Sequence, residues 1–274
     1  MRFLCLHGHG TNSSILEAQL EPIRAYLPTN WEFEFLDGEM EAEPAPGIDA
    51  IFPGPYFGYH GEPIPDDVQN AYDLVLEVGR EEGPFDGVLG FSQGAAVAST
   101  LLLNHARTDP TEELFKMGVF ISTTMPFDMG SGKLKLTYDP AQRELSAIHQ
   151  DVEGNAIGDD HMDWMTDVRS KGVIDEFEAR RPMAASAKEA TSVDVLLRFH
   201  PTTHTQRIKI PTAHVIGEKD QYADHGRALV GMCEPRLAHV VTHDGGHQLP
   251  RSTSTVAKVA GAIQMAVEQM QFQT

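Results

Sequence analysis

The sequence predicts an α/β domain in which a mostly parallel sheet carries helices on both faces. Three observations predict it. Short apolar runs alternate with amphipathic helical stretches over most of the chain, the pattern of a sheet buried on both sides. Gly90-Phe91-Ser92-Gln93-Gly94 stands between the apolar run Phe85–Leu89 and a helical stretch, Ala95–His105. That is the strand–turn–helix setting of a nucleophile elbow, in which glycines two residues either side of the serine let the helix cross back over its strand. An acid and a histidine then follow in that order, each just after a later strand.

Taken in order, Phe3–His7 reads as a buried first strand, left through Gly8-His9-Gly10-Thr11-Asn12. Asn12 or Ser13 is placed to cap a helix whose apolar face holds Ile15, Leu16, Leu20, Ile23 and Leu27. Trp31–Leu36 alternates aromatics with Glu, as a strand near the sheet edge does. Residues 39–66 are rich in Pro and Gly without a period, yet hold Phe52, Tyr56, Phe57 and Tyr59. Long loops in compact domains are often functional, so this one is expected to wall the substrate pocket with those four aromatics. Asp66 or Asp67 is expected to cap a helix running through Val68, Ala71, Tyr72, Val75 and Val78.

After the elbow, Met117–Thr123 reads as another strand. Residues 125–207 break the rhythm, and segments such as Arg169–Arg180 and Pro182–Arg198 read as helical. The expectation is one domain over 1–274 with a helical cap inserted at 125–207, above the strand ends where open α/β sheets bind ligands. Strand signals resume at Ile210–Gly217 and Leu237–Thr242, and a last helix spans about Ser252–Met270.

The chain has 274 residues, 41% hydrophobic and 22% charged, enough for a sizeable core. With 21 Lys and Arg against 40 Asp and Glu, the net charge is −19. That balance argues against nucleic acid or an anionic membrane as partner. Two cysteines make no disulfide framework. The short apolar start is not a signal peptide, and no apolar stretch approaches ~18 residues. An intracellular, cytoplasmic protein is expected.

A serine hydroxyl attacks only when a base takes its proton. For Ser92 the chain offers Asp220, at the tip of the loop after Ile216-Gly217, and His247, after Gly245-Gly246. His243 is the second choice of base; Glu218, Asp224 and Asp244 are rivals to Asp220 but sit less well at the strand exit. Two backbone N–H groups should hold the developing oxyanion: that of Gln93, at the start of its helix, and that of His9, in the loop after the first strand. His200-x3-His204, His243-x3-His247 and His7-x-His9 have ligand spacing but are interrupted by Pro201 or by glycines, so no metal is expected. Phosphate-cradling glycine motifs are absent too, so no nucleotide cofactor is expected.

With these residues in hand, the chain resembles the fungal family of serine hydrolases (FSH type) of the α/β-hydrolase superfamily. The likeness rests on Leu4-Cys5-Leu6-His7-Gly8 with Thr11-Asn12, on Gly90-Phe91-Ser92-Gln93-Gly94-Ala95, on Ile210 to Asp220, and on Gly245-Gly246-His247-Gln248-Leu249-Pro250. It implies Ser92 as nucleophile, Asp220 as orienting acid and His247 as base. Ser122-Thr123 stands where the family commonly has Ser-Gly, and the insertion at 125–207 is longer than in compact members. Both fall where the acyl pocket should be, which adds Thr123 and Met125 to the expected pocket residues. The resemblance implies an esterase or thioesterase, foremost one releasing a polyketide from the acyl-carrier domain of its synthase in secondary metabolism. A basic patch around Lys133, Lys135, Arg180 and Arg181 would serve such a partner. The alternatives are a general short-chain carboxylesterase and a non-catalytic acyl-binding or chain-folding protein on the same scaffold.

Overall fold

The computed structural model describes residues 1–61, 63–111, 113–139, 144–156 and 191–273. Its centre is a six-stranded sheet in the order β11-β10-β6-β5-β1-β2. The strands are β1 (Arg2–Leu6), β2 (Glu32–Leu36), β5 (Gly87–Phe91), β6 (Met117–Ile121), β10 (Thr212–Gly217) and β11 (Ala238–His243). Every pairing among them is parallel. Alternate residues of β1 show how both faces are filled. Phe3 and Cys5 pack with Leu16, Leu20 and Ile23 of α1 (Ser13–Arg24) and with Val256, Val259 and Ile263 of the last helix, α5 (Thr253–Gln273). Leu4 and Leu6 pack on the opposite face with α2 (Pro65–Glu81), α3 (Gln93–Thr108) and α4 (Ala223–Gly231), through Ala71, Val75, Ala98, Leu101 and Leu229. Burial on both faces is why the strands read as continuous apolar runs.

Strand order reverses between β1 and β5: the chain leaves β1 toward β2 and returns across it to β5. Loops leaving neighbouring strands on opposite sides open a crevice at their carboxyl ends there. The loop after β1 and the elbow after β5 flank it.

Local chemistry explains the element starts. Asn12 caps α1, its side chain accepting the Ile15 N–H at 2.8 Å. Neither Asp66 nor Asp67 caps α2: Ile64 holds the cap position, Pro65 begins the helix, and the two acids lie in the first turn, where they favour the helix dipole.

The main correction concerns residues 125–207, whose described regular elements are strands. β7 (Phe127–Asp139), β8 (Glu144–Gln150) and β9 (Thr191–Arg198) form a separate antiparallel sheet in the order β8-β7-β9. The reason is a period of two: Leu134 and Leu136 of β7 face Val193, Val195 and Leu197 of β9 in one apolar cluster, with lysines between the leucines. Thus the stretch 182–198, read as one helix, ends as a strand; the helix expected at Arg169–Arg180 lies outside the described residues. Leu196 and Phe127 join Val68 of α2 in a further cluster, and Leu196 N–H bonds the Pro63 carbonyl at 2.9 Å. Residues 39–61 are held by a two-stranded pair, β3 (Met40–Glu41) with β4 (Phe57–Gly58). Among the described residues no helix is long and apolar enough to cross a membrane.

Candidate active site

The elbow is built as its glycines require. Ser92 has φ 52° and ψ −114°, a conformation that side chains adopt only where packing enforces it. A Cβ on Gly90 would collide with the Ala95 backbone, and one on Gly94 with the carbonyls of Leu6 and His7. That second approach is used: Gly94 N–H bonds the His7 carbonyl at 3.1 Å, tying α3 to the loop after β1. Ser92 N–H continues the ladder to Ile121 at 2.9 Å.

Three predicted residues meet here. His247 Nε2 lies 2.7 Å from Ser92 Oγ, and its Nδ1 lies 3.0 and 2.9 Å from the two carboxylate oxygens of Asp220. The acid and histidine loops are laced together by Glu218 N–H to the His243 carbonyl at 2.7 Å and Lys219 N–H to that of Gly245 at 3.0 Å. The His247 ring is braced by Phe91 and Tyr222, with centroids 5.5 and 5.1 Å away. Asp220 is buried, which alone would raise its carboxyl. The His247 hydrogen bond and the Tyr222 N–H at 2.8 Å outweigh that and hold it below the usual carboxylate range. Such a line can pass the serine proton to the imidazole while the carboxylate fixes the tautomer and balances the imidazolium.

The rivals have other work. His243 is buried and its Nδ1 accepts the Gly245 N–H at 3.1 Å. Asp224 pairs with Arg227, and Glu218 and Asp244 are exposed. His204 bonds Asp128 at 2.9 Å. Cys5 and Cys233 are free and buried; burial pushes both thiols up, that of Cys233 to about 12.

Gln93 opens α3, so its N–H has no carbonyl one turn back within the helix. The Gly8–His9 peptide is oriented from behind. Burial lowers the His7 pKa and keeps the ring neutral; its Nε2 accepts the Gly38 N–H at 3.0 Å, placing the proton on Nδ1. That Nδ1–H donates to the Gly8 carbonyl at 2.7 Å, and the Thr11 hydroxyl donates to the same oxygen at 2.6 Å. In a trans peptide the next N–H points the opposite way, so the His9 N–H faces away from this pair of donors.

A cavity of about 160 Å³ opens at Ser92, lined by His9, His60, Gly61, Gln93, Thr124, Arg198 and Tyr222. Phe52, Tyr56, Phe57, Tyr59, Thr123 and Met125 are not among its lining residues. Tyr59 is in the core, its hydroxyl bonded to the Leu36 carbonyl at 2.7 Å, while its neighbour His60 lines the cavity. Tyr56 donates to the Phe52 carbonyl at 2.7 Å, both half-buried, and Phe57 lies half-buried on β4. Thr123 and Met125 are buried, the first bonded to the Thr124 carbonyl and the second accepting from Arg198. The Gln93 side chain does what its backbone role did not suggest: its Oε1 accepts the Tyr59 N–H and its Nε2 donates to the His60 carbonyl, both at 2.8 Å. Larger clefts, of about 530 and 490 Å³, lie toward the far end of α3, around Leu114 and Phe115.

A family model described as "Serine hydrolase (FSH1)" matches residues 1–259. The chain belongs to that family. It is 34% identical to "Hydrolase FUB4" of Fusarium oxysporum f. sp. lycopersici, over 96% of this chain and 97% of that one. It is equally 34% identical to "Esterase alnB" of Emericella nidulans, over 99% and 98%. "Esterase FPY3" of Fusarium mangiferae is 30% identical over 97% of each. Among solved structures, a monoacylglycerol lipase of Paleococcus ferrophilus superposes with a TM-score of 0.50 at 13% identity, covering 97% of this chain and 94% of that one. At that identity the likeness concerns the α/β-hydrolase fold alone. The protein is thus a hydrolase enzyme of the serine hydrolase family.

Proposed function

We propose that this chain hydrolyses an acyl ester or thioester through Ser92, His247 and Asp220. The observation that carries the reading is the continuous hydrogen-bonded line from Asp220 through His247 to Ser92 Oγ. Ser92 Oγ bonds the substrate carbonyl carbon as its proton passes to His247 Nε2. The oxyanion is received by the N–H groups of Gln93 and His9. As the bond to the leaving oxygen or sulfur breaks, His247 returns the proton to it. Water then attacks the acyl-enzyme, again with His247 as base, and releases the acid and free Ser92. Each oxyanion donor contributes on the order of 10²–10³ in rate.

Release of a polyketide from a carrier domain is the finer reading, and family membership supports it. Of the basic patch expected to meet such a carrier, Lys133 is paired with Asp194, and Arg180 and Arg181 lie outside the described residues. The cavity of about 160 Å³ favours a second reading, a short-chain carboxylesterase, since pockets for larger ligands run to ~300–1,000 Å³. A fluorophosphonate probe should label the wild type, and Ser92→Ala should abolish labelling; labelling retained in that variant would overturn the mechanism. Rates on matched short and long thioesters and oxygen esters separate the two readings. A protein that binds acyl ligands but turns none over would point to the non-catalytic alternative.

A further inference from the structure

His243 is a buried histidine that the chemistry at Ser92 does not use. It closes β11 and is absent from the lining of the cavity at Ser92. Its Nδ1 lies 3.1 Å from the Gly245 nitrogen and accepts that N–H, so the ring carries its proton on Nε2. That Nε2 is buried and has no hydrogen-bond partner among the described residues. A buried donor left unmade is costly, and an apolar side chain of similar bulk would fill the same space without it. The use of this ring therefore lies at Nδ1.

The bond at Nδ1 belongs to a closed circuit between the loops that carry the acid and the base. Glu218 N–H bonds the His243 carbonyl at 2.7 Å, and Lys219 N–H bonds the Gly245 carbonyl at 3.0 Å. The imidazole joins those two contacts on the histidine side. The turn is wrapped closely against the ring: a Cβ on Gly245 would stand 2.7 Å from His243 Nδ1. Asp220 directly follows Lys219, and His247 follows Gly245 after a single residue. A shift of Gly245 thus reaches both ends of the Asp220–His247 contact, and through His247 the 2.7 Å contact with Ser92 Oγ.

We propose that His243 is a positioning residue for the relay: its Nδ1 holds the 243–247 turn in the fold that brings His247 into line with both Asp220 and Ser92. The inference rests on the reading of Ser92, His247 and Asp220 as the catalytic line. Proton transfer along such a line fails when its members move by an ångström. None of residues 243–247 lines the cavity, so a loosened turn lowers kcat and leaves substrate binding as it is.

The test compares His243→Leu, which keeps bulk and removes the acceptor, with His243→Asn, whose side-chain oxygen accepts the N–H two residues on, as in an Asx turn. The probes are a fluorophosphonate and 4-nitrophenyl butyrate. His243→Leu should lose about 10²-fold in labelling rate and in kcat, with KM unchanged. Its melting temperature should stay within about 4 °C of the wild type, because the orphaned Nε2 donor disappears together with the Gly245 bond. His243→Asn should recover about tenfold or more of the lost rate. An unchanged rate in a folded His243→Leu overturns the inference, and so does a His243→Asn as slow as His243→Leu. A merely structural His243 would instead lower the melting temperature and leave the rate per folded molecule alone. Should neither variant fold, nitrogen NMR of the wild-type imidazoles decides: the His243 ring should hold its proton on Nε2 with Nδ1 bare, and a proton on Nδ1 overturns the inference. Fluorophosphonate labelling of the wild type reports on Ser92 separately. Labelling that His243→Leu leaves unchanged sinks this inference alone, and absence of labelling sinks the mechanism beneath it.

Discussion

Replacing Gln93 by Met keeps the length of the side chain and removes both of its polar ends. In the native protein those ends hold two backbone groups of the 57–61 segment, the Tyr59 N–H and the His60 carbonyl, each at 2.8 Å and buried. Leaving a buried group unpaired costs about 1–3 kcal/mol, so two cost about 2–6 kcal/mol together. At roughly 2 °C per kcal/mol for a domain of this size, Gln93→Met should melt about 4–12 °C below the wild type. The same segment supplies His60 and Gly61 to the cavity wall. Loosening it should therefore slow acylation as well, by up to about 10²-fold if the wall moves by an ångström. The backbone N–H of residue 93 survives, so fluorophosphonate should still react, only more slowly. Calorimetry and stopped-flow labelling on the same preparations check both parts. A melting temperature within 1 °C of wild type, with the labelling rate unchanged, would refute the claim that this side chain pins the wall.

Asp220→Asn should lower kcat by about 10⁴-fold with the fold intact, because an amide N–H facing His247 Nδ1 favours the tautomer whose proton points at Ser92; a loss below tenfold in steady-state hydrolysis would count against the relay. Acid stability should depend on His214, which burial pushes down to about 3 from 6.5. Between those values the unfolded chain binds a proton that the folded chain refuses. Stability from this group is thus full above pH 6.5 and is lost as pH falls toward 3, by up to about 1.4 kcal/mol per unit. His214→Leu should flatten that slope in denaturant titrations at successive pH values, and an unchanged slope would reject it.

The central sheet was legible because its strands are covered on both faces: Met117–Ile121 is buried throughout and could read only as apolar. The relay was legible because each member follows a strand, and strand ends are what glycines and turn residues mark. The insertion was misread because the alternation in β7 and β9 is short and Pro182 to Arg198 also fits a helical count. The cavity wall was hidden for a different reason. His60, Thr124, Arg198 and Tyr222 come from four distant segments, and only tertiary packing brings them together. Tyr59 shows the margin involved: a single residue separates a core tyrosine from a wall histidine. Arg198, an arginine closing the run Val193-Asp194-Val195-Leu196-Leu197, was the one wall residue whose position carried a signal.

Both feet of the inserted sheet are fastened to each other where they leave the domain. Phe199 N–H bonds the Pro126 carbonyl at 2.9 Å, Phe127 pairs with Arg198, and Arg198 grips Met125. Whatever lies between positions 128 and 197 is therefore an excursion that starts and finishes at one point. Lengthening it costs little closure entropy, and the parallel strands carrying serine, acid and imidazole need not shift. Descendants of such a chain are free to rewrite the excursion while inheriting the chemistry unchanged, so substrate range and catalytic power can diverge on separate schedules.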